Sequence, residues 1–237
     1  YKRQELALFF GPLLVGLLAL IIGWFCVRLS GVYLAMLTLA FAQICWSIVF
    51  QWSTFTGGDD GILSIWPSDW VSNRIIFYYL TMILCIGGIL ILRHLVFTPF
   101  GYTMRACRDS ALRVDSIGIN FKRHQWFTFA LTGFFAGLAG SIYVFSKGSV
   151  FPDEMAIPRS FDFLLMVLMG GIEALTGPVI GAAAFIWLHD LVSRAHFWQL
   201  ILGSIFIFLV VVFPRGIAGF LDDRFSRDFL KLIRTQP

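Results

Sequence analysis

Four long runs of apolar residues, of 18 to 22 residues each, most strongly constrain what this chain can fold into. They are Leu6–Val27, Gly31–Phe50, Ile75–Leu92 and Trp126–Ser146, and a shorter run follows at Phe197–Phe213. A helix of about 20 apolar residues crosses the roughly 30 Å hydrocarbon core of a bilayer. Charged residues make up only 14% of the 237 residues, whereas soluble domains carry about 25%. The sequence therefore predicts an all-α polytopic membrane protein, a helical bundle that forms a single domain over 1–237.

The polar stretch 93–125 carries six basic side chains against two acidic ones. The basic residues are Arg93, Arg105, Arg108, Arg113, Lys122 and Arg123, and the acidic residues are Asp109 and Asp115. Short loops rich in Lys and Arg stay on the cytoplasmic side of a membrane, so we expect this loop to be cytoplasmic. Because the net charge of +4 comes from such membrane-flanking positions, the bilayer is the expected partner and nucleic acid is not.

The sequence lacks the motifs of several kinds of chemistry. Its four cysteines, Cys26, Cys45, Cys85 and Cys107, have no CxxC spacing and no nearby histidine pattern, so we interpret them as buried apolar residues rather than metal ligands or disulfides. No GxxxxGK[ST], HExxH or GxSxG motif is present. We therefore expect neither an enzyme nor a cofactor bound by this chain.

Glycines and a proline interrupt the region 161–188, in the segment MGGIEALTGPVIGA (169–182). If the basic loop and the basic C-terminal tail both lie inside, this region begins and ends outside. That parity predicts two half-helices, Phe161–Met169 and Val179–Leu188, which enter and leave the membrane as a re-entrant pair. One interrupted span with an outside tail is the alternative.

A helix break at membrane depth frees backbone groups that need protein or a watery cavity around them. Transporters use such breaks to present polar backbone to a solute. The glycines supply conformational freedom, and Pro178 suits the first turn of a new helix. We therefore expect Gly170, Gly171 and Glu173 to belong to a translocation pathway. For Glu173, a carboxylate in a wet turn or one paired with a basic neighbour is the alternative.

Small residues recur along the fourth run. Gly133, Gly137 and Ser141 are spaced by four residues, and Thr132, Ala136 and Gly140 repeat that spacing one position earlier. Small residues on one helix face let a neighbouring helix approach closely. We interpret Gly133, Gly137, Gly140 and Ser141 as helix-packing residues.

The cytoplasmic loop contains a helical pattern of its own. From Thr103 to Ile117 there is no Gly or Pro. Apolar residues recur there at a helical period, at Met104, Cys107, Ala111, Val114 and Ile117. Gly118 follows where a helix C-cap is expected. The pattern predicts a short amphipathic helix, which either lies on the membrane surface or docks a soluble partner.

Several long motifs occur here in a fixed order, and together they resemble the permease subunits of branched-chain amino-acid type ABC importers. The motifs are GVYLAMLTLAFAQ (31–43), TGGDDGI (56–62), FGYTMRACRDSALRVDSIGIN (100–120), FFAGLAGSIY (134–143), LLMVLMGGIEALTGPVIGA (164–182) and FPRGIAG (213–219). The resemblance covers nearly all of the chain and is to the branch usually paired with a second, homologous permease.

The resemblance implies an ATP-driven importer in a bacterial inner membrane, for a branched-chain amino acid or a related small amide or carboxylate. Its partners would be a homologous permease subunit, which favours a heterodimer, two cytoplasmic ATPase subunits that bind ATP and Mg²⁺, and a periplasmic substrate-binding protein. The segment Arg105–Gly118 resembles the coupling helix that seats in the ATPase. The coupling residues this implies are Arg105, Arg108, Asp109, Arg113, Asp115, Ser116 and Gly118.

Helical spacing together with the resemblance adds Tyr33, Thr38 and Gln43 of the second run to the expected pathway. Glu173 and Ala174 depart from the family pattern, where relatives more often carry Gly and a small polar residue. A self-contained secondary transporter or channel for a small polar solute is the alternative function. Against it stand the scarcity of ionisable groups at membrane depth and the lack of a detectable internal repeat.

Overall fold

The structure is a computed structural model that describes residues 4–63, 73–172, 174, 176–193, 197–212, 216 and 218–219. By internal contacts the chain divides into two compact units, Tyr1–Ala156 and Ile157–Pro237. Whether they act as the one domain expected over 1–237 stays a prediction.

The first unit contains seven helices and one short strand pair among its described residues. The helices are α1 (Gln4–Cys26), α2 (Val32–Gln51), α3 (Ser53–Thr56), α4 (Arg74–Val96), α5 (Pro99–Asp109), α6 (Ala111–Ser116) and α7 (Phe121–Lys147). The strands are β1 (Ile62–Leu63) and β2 (Ser149–Val150), and 3₁₀ turns lie at Gly58–Asp60 and Pro152–Met155. Within the described chain, α1, α2, α4 and α7 are long and apolar enough to cross a membrane. This confirms the polytopic helical fold class.

Helices α1 and α7 pack along their whole length through small residues. A Cβ placed on Gly133 would meet the side chain of Ala19, and one on Gly137 would lie 2.8 Å from Val15 Cβ and 3.0 Å from Pro12 Cα. Ser141 Oγ would lie 2.7 Å from a Cβ at Gly11. The Trp126 indole donates a hydrogen bond to the Leu20 carbonyl, with an N–O distance of 2.7 Å. The stripe at 133, 137 and 141 is thus the α1-facing surface of α7.

Gly140 lies outside that contact. It is exposed, and a Cβ built on it meets no atom within 4 Å in the described part of the chain. Thr132 and Ala136, which share its face, are exposed as well. The second small-residue stripe predicted on α7 therefore has no helix packed against it within the first unit as described.

The contacts of α1 fix its direction relative to the basic loop. Early residues of α1 meet late residues of α7, so the two helices are antiparallel. The end of α1 then lies beside the start of α7, where the basic loop ends. At that end the Arg28 guanidinium lies over the Trp24 ring, 3.7 Å from its centroid. At the opposite end, β1 after α2 pairs antiparallel with β2 after α7, with Ile62 opposite Val150. Helix α1 therefore runs toward the basic-loop side and α2 runs away from it.

The second unit consists of α8 (Ile157–Gly170), α9 (Gly177–Val192) and α10 (Trp198–Val212). Its core is formed by the buried side chains of Met169, Phe185, Val192, Leu202 and Phe206. Helices α8 and α9 pack against each other as a hairpin. The helical structure is interrupted between Gly170 and Gly177, as expected. Pro178 lies in the first turn of α9.

The arms of this hairpin are longer than the sequence analysis predicts. Half-helices of nine and ten residues were expected, but α8 has 14 residues and α9 has 16, which is about 21 Å and about 24 Å at 1.5 Å per residue. Helix α8 starts earlier because Pro158 is acceptable in a first helical turn, and α9 continues through His189 and Asp190. Each arm is thus longer than half of the roughly 30 Å thickness of a bilayer core.

Candidate functional site

The basic loop folds into two short helices instead of the one predicted over Thr103–Ile117. Ser110 separates α5 from α6 with extended backbone, at φ −162° and ψ 101°. The apolar period continues across it, but Asp and Ser favour helix ends over helix interiors, and the helix stops at Asp109-Ser110. The predicted stripe is divided as a result. Cys107 and Val114 are buried, whereas Ile117 is 72% exposed.

Gly118 ends α6 as the sequence analysis expects. Its φ of +84° lies in the left-handed region that favours glycine. The Gly118 amide donates to Asp115 O at 3.0 Å, and the Ile119 amide donates to Val114 O at 3.3 Å. These two bonds form a Schellman motif, which satisfies the last carbonyls of the helix. The chain direction after α6 is thereby fixed.

The side chains predicted to couple to an ATPase all lie on one exposed segment. Arg105, Arg108, Asp109, Arg113, Asp115, Ser116 and Gly118 are each exposed. Arg108 Nε lies 3.5 Å from Asp109 Oδ1, with both side chains largely in solvent. Two apolar side chains lie among them, Leu112 at 83% and Ile117 at 72% exposure. We call Leu112, Ile117 and these charged neighbours the loop surface.

Cys107 anchors the loop surface from its inner side. Its side chain is only 6% exposed, and burial raises the pKa of the thiol because the thiolate loses hydration. The neighbouring Ala106 is exposed. Cys107 therefore packs as a small apolar residue, as the sequence analysis expects, and Cys26 is buried as well. The expectation of burial is wrong for Cys85, which is exposed, and Cys45 is only half-buried.

The raised pKa gives a testable reactivity. At pH 7.5 we expect N-ethylmaleimide to modify Cys107 at least about tenfold more slowly than a cysteine placed at Ala106 in a Cys107→Ala background, because only the thiolate reacts. The difference should shrink as pH rises and the fraction of Cys107 thiolate grows. Equal rates for the two cysteines at pH 7.5 would contradict the buried position.

The three pathway candidates of α2 do not share a face. At 100° per residue, their five-residue spacing turns the helix by about 140° at each step. Tyr33 (72% exposed) and Gln43 are exposed on one side. The half-buried Ser47 and the exposed Gln51 lie on the same side, and their side chains are hydrogen-bonded at 2.9 Å. Thr38 lies on the other side, toward α1 and α7. The three residues therefore do not form one polar face of α2, and their role in a pathway stays a prediction.

Thr38 lines a cavity of about 180 Å³ at the basic-loop end of the first unit. Four apolar side chains form part of its wall, namely Cys26, Val27, Leu34 and Phe129. Four polar ones complete it, namely Thr38, Gln125, Thr128 and Thr132. Met104 of α5 closes one side, with its sulfur 3.0 Å from Thr128 Oγ1. The cavity is thus shared by α1, α2, α5 and α7.

The break between α8 and α9 is a junction in which backbone touches backbone. We call Gly170, Gly171, Gly177, Gly181 and Gly216 the glycine junction; all five are buried. A Cβ at Gly170 would collide with Gly177 O, one at Gly177 with Gly171 O, and one at Gly216 with the backbone of Gly171. The predicted pathway residues Gly170 and Gly171 are therefore enclosed in this packing, and their proposed role in a pathway remains a prediction. Glu173 lies outside the described residues.

Sequence reasoning missed several residues that the structure brings together. Leu112 lies outside the apolar period and is exposed, and Ile117 belongs to the period yet lies in solvent, after the interruption of the helix at Ser110. Gln125 and Thr128 carry no local signal, since the cavity forms only when four helices meet. Among the described residues, no group of three or more His, Cys, Asp or Glu side chains could hold a metal ion.

Comparison with known proteins gives a family match over most of the chain. Residues 2–214 match the family described as branched-chain amino acid transport system, permease component. The high-affinity branched-chain amino acid transport system permease protein LivM of Escherichia coli (strain K12) is 24% identical, and that of Salmonella typhimurium (strain LT2) is 25% identical. Both alignments cover 83% of this chain and 53% of the relative, so the chain spans about half the length of the curated relatives it matches. No solved structure gives a significant match.

Proposed function

Because the chain belongs to the family of permease components of branched-chain amino acid transport systems, we propose that it forms part of the membrane pathway of an ATP-driven importer. The solute is a branched-chain amino acid or a related small amide or carboxylate. The importer lies in a bacterial inner membrane and contains a second, homologous permease, two cytoplasmic ATPase subunits and a periplasmic binding protein.

The observation that carries the pathway assignment is the position of Gln43. It lies near the middle of a 20-residue apolar helix and is exposed, and its side-chain amide makes no hydrogen bond to the residues that the structure describes. A primary amide left in hydrocarbon without a partner costs several kcal/mol, by order of magnitude. We therefore infer that water, solute or a partner subunit supplies hydrogen-bond partners to Gln43 and the neighbouring polar side chains on this face of α2.

The loop surface supports the coupling part of the proposal. Its exposed leucine and isoleucine among arginines and aspartates form a small apolar centre with a charged rim, which is the usual composition of a protein interface. The chain carries no ATP-binding motif of its own. Under this proposal Arg108 and Asp115 contact the ATPase, and they do not select the solute.

The pathway assignment is tested by replacing the amide of Gln43. In proteoliposomes that contain the full-length permease with its partners, we expect Gln43→Leu to lower ATP-dependent uptake of radiolabelled leucine by about tenfold, since one polar contact to solute or water is lost. Gln43→Asn keeps an amide and should retain more than half of the uptake. Ile44→Leu, an apolar change on the neighbouring exposed position, is the control for insertion.

Two results would contradict the proposal. Wild-type uptake by Gln43→Leu would show that this face of α2 does not contact the pathway. Uptake that persists without ATP and is abolished by an uncoupler would instead indicate a self-contained carrier.

A further inference from the structure

The end of the first unit that lies opposite the basic loop carries exposed apolar side chains beside exposed carboxylates. We infer that this end is a docking surface for a soluble protein with a basic patch. Under the proposed function, on which this inference rests, that protein is the binding protein that delivers the solute. We call this end the outer surface, and its side chains are those of Phe55, Asp59, Asp60, Leu63, Phe151 and Asp153, all of which are exposed.

The two adjacent carboxylates of the outer surface belong to a loop that is held at both ends. Before them, the Thr56 hydroxyl donates a hydrogen bond to Val49 O of α2, with an O–O distance of 2.6 Å. After them, Gly61 has a positive φ of +65°, which favours glycine, and a Cβ there would collide with Val150 O of β2. The strand pair joins this loop to the segment that carries the third carboxylate. The three carboxylates are thus presented by one connected support, as recognition side chains on loops usually are.

The apolar side chains of the outer surface lie outside the membrane-spanning helices. Phe55 is 77% exposed, Leu63 is 61% exposed and Phe151 is 41% exposed. The neighbouring spans end at Gln51 and Lys147, so these three side chains belong to connecting segments. Large exposed apolar side chains with polar residues around them mark sites of interaction with a protein or a membrane. Aromatic side chains in particular are frequent anchors of protein interfaces.

The charge of this end distinguishes a protein partner from a membrane surface. The described residues 52–63 and 148–156 contain four acidic side chains and no Lys or Arg. Anionic lipid headgroups attract basic segments, so an acidic segment is repelled by them. A protein with a basic patch gains from the same negative charge, both in the rate of encounter and in the choice of partner. The charge therefore favours a basic protein.

The carboxylates of the outer surface are available to such a partner. The fourth acidic side chain of this end, Glu154, accepts a hydrogen bond from the Tyr143 hydroxyl at 2.9 Å and is held against α7. Asp59, Asp60 and Asp153 instead form no ion pair or side-chain hydrogen bond with the residues that the structure describes. Three negative charges therefore face solvent beside aromatic side chains, and a charged rim around aromatic residues is typical of a protein interface.

The outer surface is connected to the helix that carries Gln43. The short helix α3 follows directly after the end of α2, and the 3₁₀ turn Pro152–Met155 contacts α2. A protein bound to the outer surface therefore bears on the end of α2, which is the helix proposed to line the pathway. Arrival of the loaded binding protein and the position of the pathway helix would be linked in this way.

The charge contribution is tested with the full-length permease complex in nanodiscs and the purified, leucine-loaded binding protein of the same importer. The triple variant Asp59→Asn, Asp60→Asn and Asp153→Asn should raise the dissociation constant about tenfold at about 50 mM salt, mainly by slowing association. The difference should largely disappear at about 500 mM salt, because salt screens exposed charges. The triple variant Asp59→Glu, Asp60→Glu and Asp153→Glu keeps the charges and should stay within about threefold of the wild type.

The apolar contribution is tested with Phe55→Ala in the same assay. Loss of an aromatic anchor should raise the dissociation constant about tenfold by speeding dissociation, and this effect should persist at high salt. Phe127→Ala is the matched control, because Phe127 is also exposed, at 54%, but lies near the start of α7 at the basic-loop end. Its replacement should leave the affinity unchanged.

The contrary outcomes distinguish this inference from the proposed function. Wild-type affinity in both the triple asparagine variant and Phe55→Ala, with leucine uptake intact, would overturn docking at the outer surface and leave the proposed function standing. If Phe55→Ala then also melts at a lower temperature in nanodiscs, the surface belongs to the lipid interface instead. Failure of the wild-type complex to take up leucine, isoleucine or valine and to bind a loaded binding protein would overturn the proposed function, and this partner with it.

Discussion

Replacing Gly181 with valine is expected to prevent the second unit from assembling. A Cβ at this position would collide with Met166 O of α8 and would lie 2.6 Å from Gly170 N and 2.9 Å from Gly170 Cα. These are backbone atoms of the partner helix, so no side chain can turn aside to make room. Overpacking of this kind costs about 3 kcal/mol or more, a large part of the roughly 5–15 kcal/mol that stabilises a typical fold.

The measurement is the yield of monodisperse protein after extraction in mild detergent, together with its thermal aggregation temperature. Gly203→Val is the matched control, because Gly203 also lies within a helix of this unit and a Cβ there meets no described atom within 4 Å. We expect Gly181→Val to lose most of the monodisperse fraction while Gly203→Val retains it. Equal yields would show that α8 and α9 do not approach as closely as the structure indicates.

The second large effect is expected at the loop surface, for Leu112→Asp. If Leu112 inserts into the ATPase, its burial contributes about 2 kcal/mol, and a carboxylate in its place adds a desolvation penalty of a few kcal/mol. The dissociation constant between the permease and its ATPase subunits should therefore rise about 100-fold or more. ATP hydrolysis that depends on the loaded binding protein should be lost in parallel.

Two further variants separate docking from folding. Leu112→Met keeps an apolar side chain of similar size and should retain affinity within about threefold, since volume-conserving exchanges are well tolerated. Lys122→Asp changes the net charge by two units, against one for Leu112→Asp, but Lys122 is an exposed residue of α7 outside the loop surface. This variant should therefore leave the affinity for the ATPase subunits unchanged. Unchanged ATPase affinity in Leu112→Asp would exclude this surface as the docking site.

Local patterns in the sequence predicted those elements whose signal is local. The four long apolar runs correspond to α1, α2, α4 and α7. Each run could be recognised from the sequence because a span of a bilayer needs about 20 consecutive apolar residues. The break after Gly170 follows from glycine and proline. The left-handed φ at Gly118 was likewise expected from a helix that ends before a glycine.

Features formed by residues far apart in the sequence could not be predicted from local patterns. Gly216 joins the glycine junction from a position 45 residues after Gly171, and no spacing rule links the two. The cavity needs side chains from four helices. The interruption at Ser110 was not predicted because the apolar period continues unchanged on both sides of it, so the period could not reveal that Ile117 faces outward.

The pairing of α1 with α7 also implies a delay during biosynthesis, because α1 is made well before its partner helix. The Trp126–Leu20 hydrogen bond joins residues 106 positions apart, and ribosomes add about 5–20 residues per second. Roughly 5 to 20 s therefore pass between the synthesis of the first residue and that of the second. During that interval the glycine-bearing face of α1 has no α7 to cover it, and lipid or an insertion chaperone can contact that face instead.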